Sequence, residues 1–175
     1  IEALVIELRA NNNIGGLRIQ PFLDSVVAEL ERRKPTHVVL DMRMNGGGDL
    51  NTTRAFVQRL PSLVSGRIFA LTSPYTFSAA ISTVGYLKQA APERVTIVGE
   101  EVGDRLEFWA EGSPVILTNT QLRMGIATER HDYRNGCRAY TDCHGAVMRA
   151  RIAVASLAPE IRAPWTVATY RAGRD

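Results

Sequence analysis

The feature that most constrains the fold is a repeated alternation of short apolar runs with segments of helical periodicity. The apolar runs are rich in aliphatic and β-branched residues, as strands are. The segments between them place apolar residues three and four positions apart, which is the spacing of one helix face. The alternation predicts an α/β fold with a mostly parallel sheet flanked by helices. The predicted strands are 3–8, 38–40, 68–71 and 95–98, and the predicted helices are 21–34, 50–60 and 78–90.

The last third of the chain follows a different pattern. From about residue 105 the apolar segments become shorter and are separated by turn residues, which predicts an irregular, β-rich region. A chain of 175 residues is predicted to form a single domain. Because the sequence has no initiator methionine, we expect it to be a fragment of a longer chain. No run reaches the roughly 20 apolar residues that a membrane helix needs.

The charge of the chain narrows its expected partners, and its cysteines indicate where it is located. The net charge is +3 and the basic residues are spread along the chain, so nucleic acid is not an expected partner. Cys137 and Cys143 are the only cysteines, and their spacing fits neither a redox CxxC motif nor a zinc site made of two pairs. They form either a local disulfide or two free thiols. We favour the disulfide, which indicates a periplasmic or secreted location.

Three distinctive segments follow predicted strands. The glycine loop, residues 45–48 with the sequence Asn-Gly-Gly-Gly, comes after the second strand. Ser78 comes after the third strand, and a Gly-Glu pair at 99–100 ends the fourth. Open parallel sheets bind ligands beyond the carboxyl ends of their strands. We therefore expect these segments to form the functional site.

Ser78 opens a predicted helix, where a serine is often only a cap. The alanines that follow it leave the backbone accessible, and a helix N-terminus carries positive partial charge. Ser78 is thus a candidate nucleophile, with the amide of Ala79 as a donor to the oxyanion. The stretch from Gly46 to Gly48 is a flexible turn, a phosphate cradle, or the source of a second donor from Gly47 or Gly48. No Walker-type or GxGxxG spacing is present, so nucleotide binding has little support.

The sequence contains the blocks VVLDMRMNGGG at 38–48, TFSAA at 76–80 and TIVGE at 96–100. In their order and spacing, these blocks resemble the C-terminal processing peptidase and tricorn-core family of serine peptidases. The resemblance covers about residues 1–130. It implies a ClpP/crotonase-like fold, hydrolysis of peptide bonds in a peptide or protein substrate outside the cytoplasm, and Ser78 as nucleophile. It also implies an oxyanion hole made by the glycine loop and Ala79.

The sequence departs from this family at the general base. Processing peptidases place a lysine soon after the Gly-Glu pair, whereas this chain has Arg105, and arginine stays protonated. Lys88 lies ten residues along the helix from Ser78, about 15 Å away, and Lys34 precedes the second strand. The chain is therefore most similar to the tricorn-like branch, whose histidine base is assisted by a carboxylate and comes from upstream of this core.

Histidines within the sequence offer a second source of the base. His131, with Glu129 as the supporting carboxylate, is the candidate; the alternative is that both are solvated loop charges. His37 begins the second strand at the opposite edge and is expected to be structural or exposed. His144 is expected at the surface. Trp109 is expected in the core, with lining of a substrate groove as the alternative.

Three functions are compatible with these patterns. The first is a serine peptidase core whose histidine lies outside the given sequence. The second is a non-catalytic module that binds a peptide or an apolar ligand on the same fold, which the missing base favours. The third is a crotonase-like acyl-thioester enzyme, ranked last because such an enzyme does not need a serine at position 78. None of the patterns implies a metal or a cofactor.

Overall fold

The computed structural model describes residues 3–137, 142–147, 151–164 and 166–168, and it divides into two units. The first unit is built on a parallel β-sheet with helices packed against it. The first unit comprises Ile1–Asp104 and Val154–Asp175, and the second comprises Arg105–Ala153. This division falls where the sequence pattern changes, although the sequence alone predicts a single domain. The strands are β1 (Ala3–Glu7), β2 (His37–Asp41), β3 (Ile68–Thr72), β4 (Val95–Gly99), β5 (Glu107–Ala110), β6 (Pro114–Ile116), β7 (Arg123–Gly125), β8 (Glu129–Asp132) and β9 (Ile161–Arg162). The α-helices are α1 (Ile19–Arg33), α2 (Leu50–Arg59) and α3 (Ala79–Ala90).

The sheet of the first unit has the order β1-β2-β3-β4-β9, and all of its strand pairs are parallel. Strands β1 to β4 follow one another with a helix in each connection, as the alternating pattern predicts. The two-residue β9 pairs with Val98 and Gly99 at the edge of the sheet. The sequence did not indicate β9, because two residues show no periodicity. The predicted α/β class with a parallel sheet flanked by helices is confirmed.

The three helices begin and end where local sequence signals place them, within a few residues. Helix α1 begins two residues before Pro21 and buries Leu23, Val26 and Leu30 on one face. It ends at Arg33, and the following residue, Lys34, has a left-handed φ of 49° that turns the chain before a proline. Asp49 caps α2 by accepting a hydrogen bond from the amide of Asn51 at 2.8 Å. Helix α3 is buried along most of its length, because its small residues allow close packing against α2.

Burial alternates along the central strands. In β3 and β4 fully buried residues alternate with half-buried ones, so one face of the sheet is the more deeply covered. The same alternation occurs in β2, where Val38 and Leu40 are fully buried but Val39 is only half-buried. The continuous apolar run of β2 is typical of a strand covered on both faces, and the half-buried Val39 shows that the second face is partly covered.

The second unit consists of short antiparallel pairs. Strand β5 pairs with β8, and β6 pairs with β7 as a hairpin. Its core contains Leu106, Phe108 and Tyr133. A disulfide joins Cys137 and Cys143, which confirms that prediction. None of the helices within the described ranges has the length and apolarity to cross a membrane.

Candidate active site

Asn45 organises the glycine loop. Its buried side chain accepts a hydrogen bond from the amide of Gly47 at 2.9 Å and donates one to the carbonyl oxygen of Leu8, also at 2.9 Å. Its own carbonyl oxygen accepts a hydrogen bond from the amide of Phe77 at 3.1 Å. A single asparagine therefore joins the end of β1, the glycine loop and the segment that leads to Ser78. This arrangement confirms that these segments meet at the carboxyl edge of the sheet.

Gly47 lies directly against the serine. A Cβ atom added to Gly47 would be 2.6 Å from the Cβ of Ser78, 2.9 Å from the carbonyl oxygen of Phe77 and 3.0 Å from the amide nitrogen of Ala79. The φ angle of Gly47 is 105°, which L-residues rarely adopt. Only glycine meets both requirements here. The third residue of the glycine loop is thus fixed by contact with Ser78, and a merely flexible turn is excluded.

The two candidate donors of the loop differ. The amide of Gly47 is already bonded to Asn45, so it is not the available donor that the sequence allowed. The carbonyl oxygen of Gly47 accepts a hydrogen bond from the amide of Asn11 at 2.9 Å. In a trans peptide the N–H points away from the C=O, so the amide of Gly48 points away from Asn11. The amide of Gly48 has no hydrogen-bond partner within the described residues, and its role as a donor stays a prediction.

Ser78 has an unusual backbone conformation. Its φ and ψ angles are 55° and −125°, outside the regions that non-glycine residues normally occupy. Its side chain is half-buried and forms no capping hydrogen bond with α3. The interpretation of Ser78 as an ordinary helix cap is therefore wrong. A serine on a strained turn between a strand and a helix is the arrangement that presents nucleophilic serines in other hydrolases.

Ala79 follows as the first residue of α3. The amides of a first helical turn have no partner within the helix, and within the described residues no hydrogen bond is formed by the amide of Ala79. The N-terminus of α3 also contributes positive partial charge at this point. The structure thus brings Gly47 of the glycine loop against Ser78 and the amide nitrogen of Ala79.

A buried polar cluster beneath the serine holds α2, α3 and the glycine loop together. The side chain of Asn11 donates hydrogen bonds to the hydroxyls of Thr53 and Thr83, at 2.7 Å and 2.8 Å. The Thr83 hydroxyl in turn donates to the carbonyl oxygen of Ala79 at 2.8 Å. The sequence pattern indicated no separate role for Asn11 or Asn45. A weak signal for both existed, because each asparagine lies a few residues after a predicted strand.

The Gly-Glu pair ends β4 beside β3. A Cβ added to Gly99 would be 2.4 Å from the carbonyl oxygen of Thr72, so the backbones approach too closely for any other residue. The amide of Glu100 donates to that same oxygen at 3.0 Å. The pair therefore fixes the edge of the sheet after β3, the strand that leads to Ser78.

Lys88, Lys34 and His37 lie away from Ser78, as the sequence predicts. The ammonium of Lys88 contacts the carbonyl oxygens of Pro92 and Val95 and forms an ion pair with Glu160 at 2.5 Å, at the far end of α3 from Ser78. Lys34 caps the C-terminus of α1. His37 begins β2 and accepts a hydrogen bond from the amide of Arg67 at 3.1 Å, in keeping with a structural role.

The second unit gathers the other two histidines. His144 is bonded through Nδ1 to Glu129 at 2.5 Å, and it is only partly exposed. Glu129 thus contacts His144, whereas the carboxylate that faces His131 is Glu111, with an oxygen 3.5 Å from Nε2. The His131 ring is stacked between Phe108 and His144. Its burial, together with the neighbouring His144, lowers the pKa of His131 below its ordinary value.

Trp109 is not a core residue. It is 46% exposed, and the guanidinium of Arg130 lies 5.1 Å from the centre of its ring. It faces outward because β5 alternates its side chains, and Phe108 takes the buried side. The expectation that Trp109 fills the core is therefore wrong, and the groove-lining alternative stays a prediction.

Solved structures share this fold. The chain matches the photosystem II D1 C-terminal processing protease with a TM-score of 0.53 and 16% identity, over 91% of this chain and 42% of that protein. It matches a candidate peptidase from Parabacteroides merdae ATCC 43184 with a TM-score of 0.53 and 15% identity, over 99% of this chain and 58% of that protein. The chain thus spans about half the length of these proteins. No family model and no curated protein matches it. At such low identity, the similarity shows a common peptidase-like fold.

Proposed function

We propose that this chain is the nucleophile-bearing core of a serine peptidase, which cleaves peptide bonds through an acyl-enzyme on Ser78. The observation that carries the proposal is the conformation of Ser78. Its φ angle is 55°, its side chain makes no capping hydrogen bond with α3, and it lies against Gly47 of the glycine loop. Strained backbone of this kind persists where the surrounding structure enforces it, and it clusters at active sites. The peptidase-like fold supports the proposal independently.

The proposed reaction follows from the placed groups. A base accepts the proton of the Ser78 hydroxyl as its oxygen attacks the peptide carbonyl. The amides of Gly48 and Ala79 donate hydrogen bonds to the oxyanion that forms, and each such donor contributes about 3–4 kcal/mol where it has been measured. The protonated base then gives its proton to the departing amine. Water attacks the ester by the same route and restores the free serine.

The base in this proposal is a histidine, as in the tricorn-like branch. Lys88 is held by Glu160 at the far end of α3, and arginine at position 105 does not release its proton. One source is a histidine outside the given sequence. The other is His131, for which Glu129 was the expected carboxylate. The disulfide between Cys137 and Cys143 supports a periplasmic or secreted location for the enzyme.

A fluorophosphonate probe applied to the full-length protein tests the proposal. We expect one adduct per chain, located on Ser78 by peptide mass mapping, and none in the Ser78→Ala variant. Ser62→Ala is the matched control, since Ser62 is an exposed serine on a short 3₁₀ turn, and it should label as the wild type does. Slower labelling of His131→Gln would identify the internal histidine as the base. An intact fold that does not label at all would contradict the proposal.

A non-catalytic peptide-binding module is the second candidate. It is favoured by the location of His37, the one histidine of the first unit's sequence, at the opposite end of β2 from the glycine loop. In this case a peptide would bind at the sheet edge without hydrolysis. Binding of a peptide with equal affinity by wild type and Ser78→Ala, combined with no probe labelling of either protein, would favour this candidate over the peptidase.

A further inference from the structure

The second unit contains a cluster of metal-ligating side chains, which the peptidase reaction leaves unused when its base is a histidine outside the given sequence. Glu111, His131 and His144 each offer one ligand atom, and these atoms lie within 4.8 Å of one another. The three residues are far apart in sequence. The pairing of β5 with β8 brings Glu111 beside the strand that carries His131. A β-bridge between Arg130 and Cys143 places His144 next to that strand.

His131 provides an independent observation. His131 is 4% exposed, and neither of its ring nitrogens has a hydrogen-bond partner among the residues that the structure describes. A buried imidazole without partners is unfavourable unless another group satisfies it. An oxygen of Glu111 is 3.5 Å from Nε2. Two ligands at 2.0–2.2 Å from a tetrahedral zinc ion are about 3.4 Å apart. The separation of these two atoms is therefore that of two ligands on one ion.

His144 has the support that metal-bound histidines usually have. Its Nδ1 is bonded to Glu129 at 2.5 Å, and a histidine that carries its proton on Nδ1 presents a lone pair on Nε2. Carboxylate–histidine pairs of this kind fix the tautomer and orientation of zinc ligands. Glu111 and Glu129 together supply two negative charges, which balance a divalent cation. The disulfide removes Cys137 and Cys143 as competing thiolate ligands.

We infer that Glu111, His131 and His144 form a binding site for Zn²⁺, with Glu129 as the positioning residue for His144. Two imidazoles and one carboxylate are a ligand set that zinc accepts in tetrahedral sites, with the fourth position open to water or a substrate. Closing the three atoms from 4.8 Å to the spacing of zinc ligands needs a shift of about 1.4 Å. Because an imidazole binds a metal in the plane of its ring, the His144 ring must also turn out of its parallel stack on His131. Glu111 and His144 are partly exposed, which allows both that shift and the entry of the ion.

Zinc titration of the whole, tag-free protein with its disulfide intact tests the inference. The protein is first stripped with a chelator, and its affinity is measured by competition with a chromophoric chelator. We expect one zinc ion per chain. Glu129→Gln should weaken binding by about 10- to 100-fold, as the loss of such a positioning carboxylate does elsewhere. Glu111→Gln and His144→Ala, which each remove a ligand from a partly exposed position, should weaken it by at least as much.

Matched controls separate this site from other sources of zinc binding. His37→Ala removes a histidine of the first unit, and Glu101→Gln removes an exposed carboxylate; both should bind zinc as the wild type does. Ser78→Ala should also bind normally, so the result does not depend on the proposed peptidase activity. Cobalt should give the visible absorption of a tetrahedral site. Unchanged affinity in both Glu111→Gln and His144→Ala, or binding only after reduction of the disulfide, would overturn the inference.

Discussion

Replacing Gly47 with alanine tests whether the glycine loop and Ser78 act as one unit. Two non-bonded carbons prefer to be 3.5–4.0 Å apart, whereas the new Cβ would be 2.6 Å from the Cβ of Ser78. The atoms would therefore overlap by about 1 Å, and either the loop or Ser78 must move by that amount. A φ of 105° is also unfavourable for alanine. Strain of this kind costs about 1–3 kcal/mol, and overpacking costs a similar amount.

The displacement of about 1 Å and the two energy costs predict two measurable results. The free energy of unfolding of the Gly47→Ala variant should fall by about 2–6 kcal/mol, measured by urea denaturation. A displacement of about 1 Å at a catalytic group lowers rates by about 100-fold, so fluorophosphonate labelling of Ser78 should slow by that factor. Labelling is measured under conditions in which the variant is fully folded, as judged by circular dichroism.

Gly46→Ala is the matched control for this prediction. A Cβ added to Gly46 would meet no atom of the described residues within 4 Å, and the φ of Gly46 is not in the left-handed region. Gly46→Ala should therefore label and unfold almost as the wild type does. If Gly47→Ala behaved as Gly46→Ala does in both assays, the close approach of the loop to Ser78 would be refuted. If Gly47→Ala lost stability but the wild type did not label, the contact between Gly47 and Ser78 would be supported. That result would contradict only the proposed peptidase activity.

Two further predictions concern side chains that hold the sheet edge and the sheet's last strand. Asn45→Ala leaves the buried amide of Gly47 without its acceptor. This change should lower the free energy of unfolding by about 1–3 kcal/mol and slow the labelling of Ser78. The control Asn119→Ala, on an exposed turn, should do neither. Partial burial raises the pKa of Glu160, but the hydrogen bonds that it accepts, including one from Lys88, lower it overall. Because the pKa is lower in the folded state, this stabilisation is present at neutral pH and is lost as the pH falls below about 4.5. The difference in urea midpoint between wild type and Glu160→Gln should shrink from pH 7 to pH 3.5, and a constant difference would contradict this assignment.

Much of the first unit was predictable because its signals are local. Apolar runs and helical periodicity identify β1 to β4 and the three helices, and proline and aspartate mark where helices begin. Parallel strands place their carboxyl ends at one edge, so the glycine loop and Ser78 were expected to meet there. Strand β9 was not predictable, because the hydrogen bonds that hold it are made with β4, more than 60 residues away along the chain.

The second unit was less predictable because its contacts depend on register. Nothing local requires Phe108 to lie opposite His131, and a shift of one residue would send each side chain to the other face. The same register decides that Trp109 is exposed. It also decides that Glu111, and not Glu129, faces His131. A cluster formed across strands therefore has no spacing motif that a sequence pattern reveals.

The backbone of Ser78 required tertiary structure for the same reason. A serine normally avoids a φ of 55°, and local sequence favours the capping role that it does not take. The conformation is enforced from outside: Gly47 packs against the Ser78 side chain, Asn45 fixes the preceding Phe77 amide, and the Asn11 cluster anchors the carbonyl of Ala79. These contacts offset a strain of about 1–3 kcal/mol that an ordinary helix start does not have. A chain that needed only a helix at this position would be more stable with a capped serine, so the strained form favours a role for the hydroxyl in chemistry.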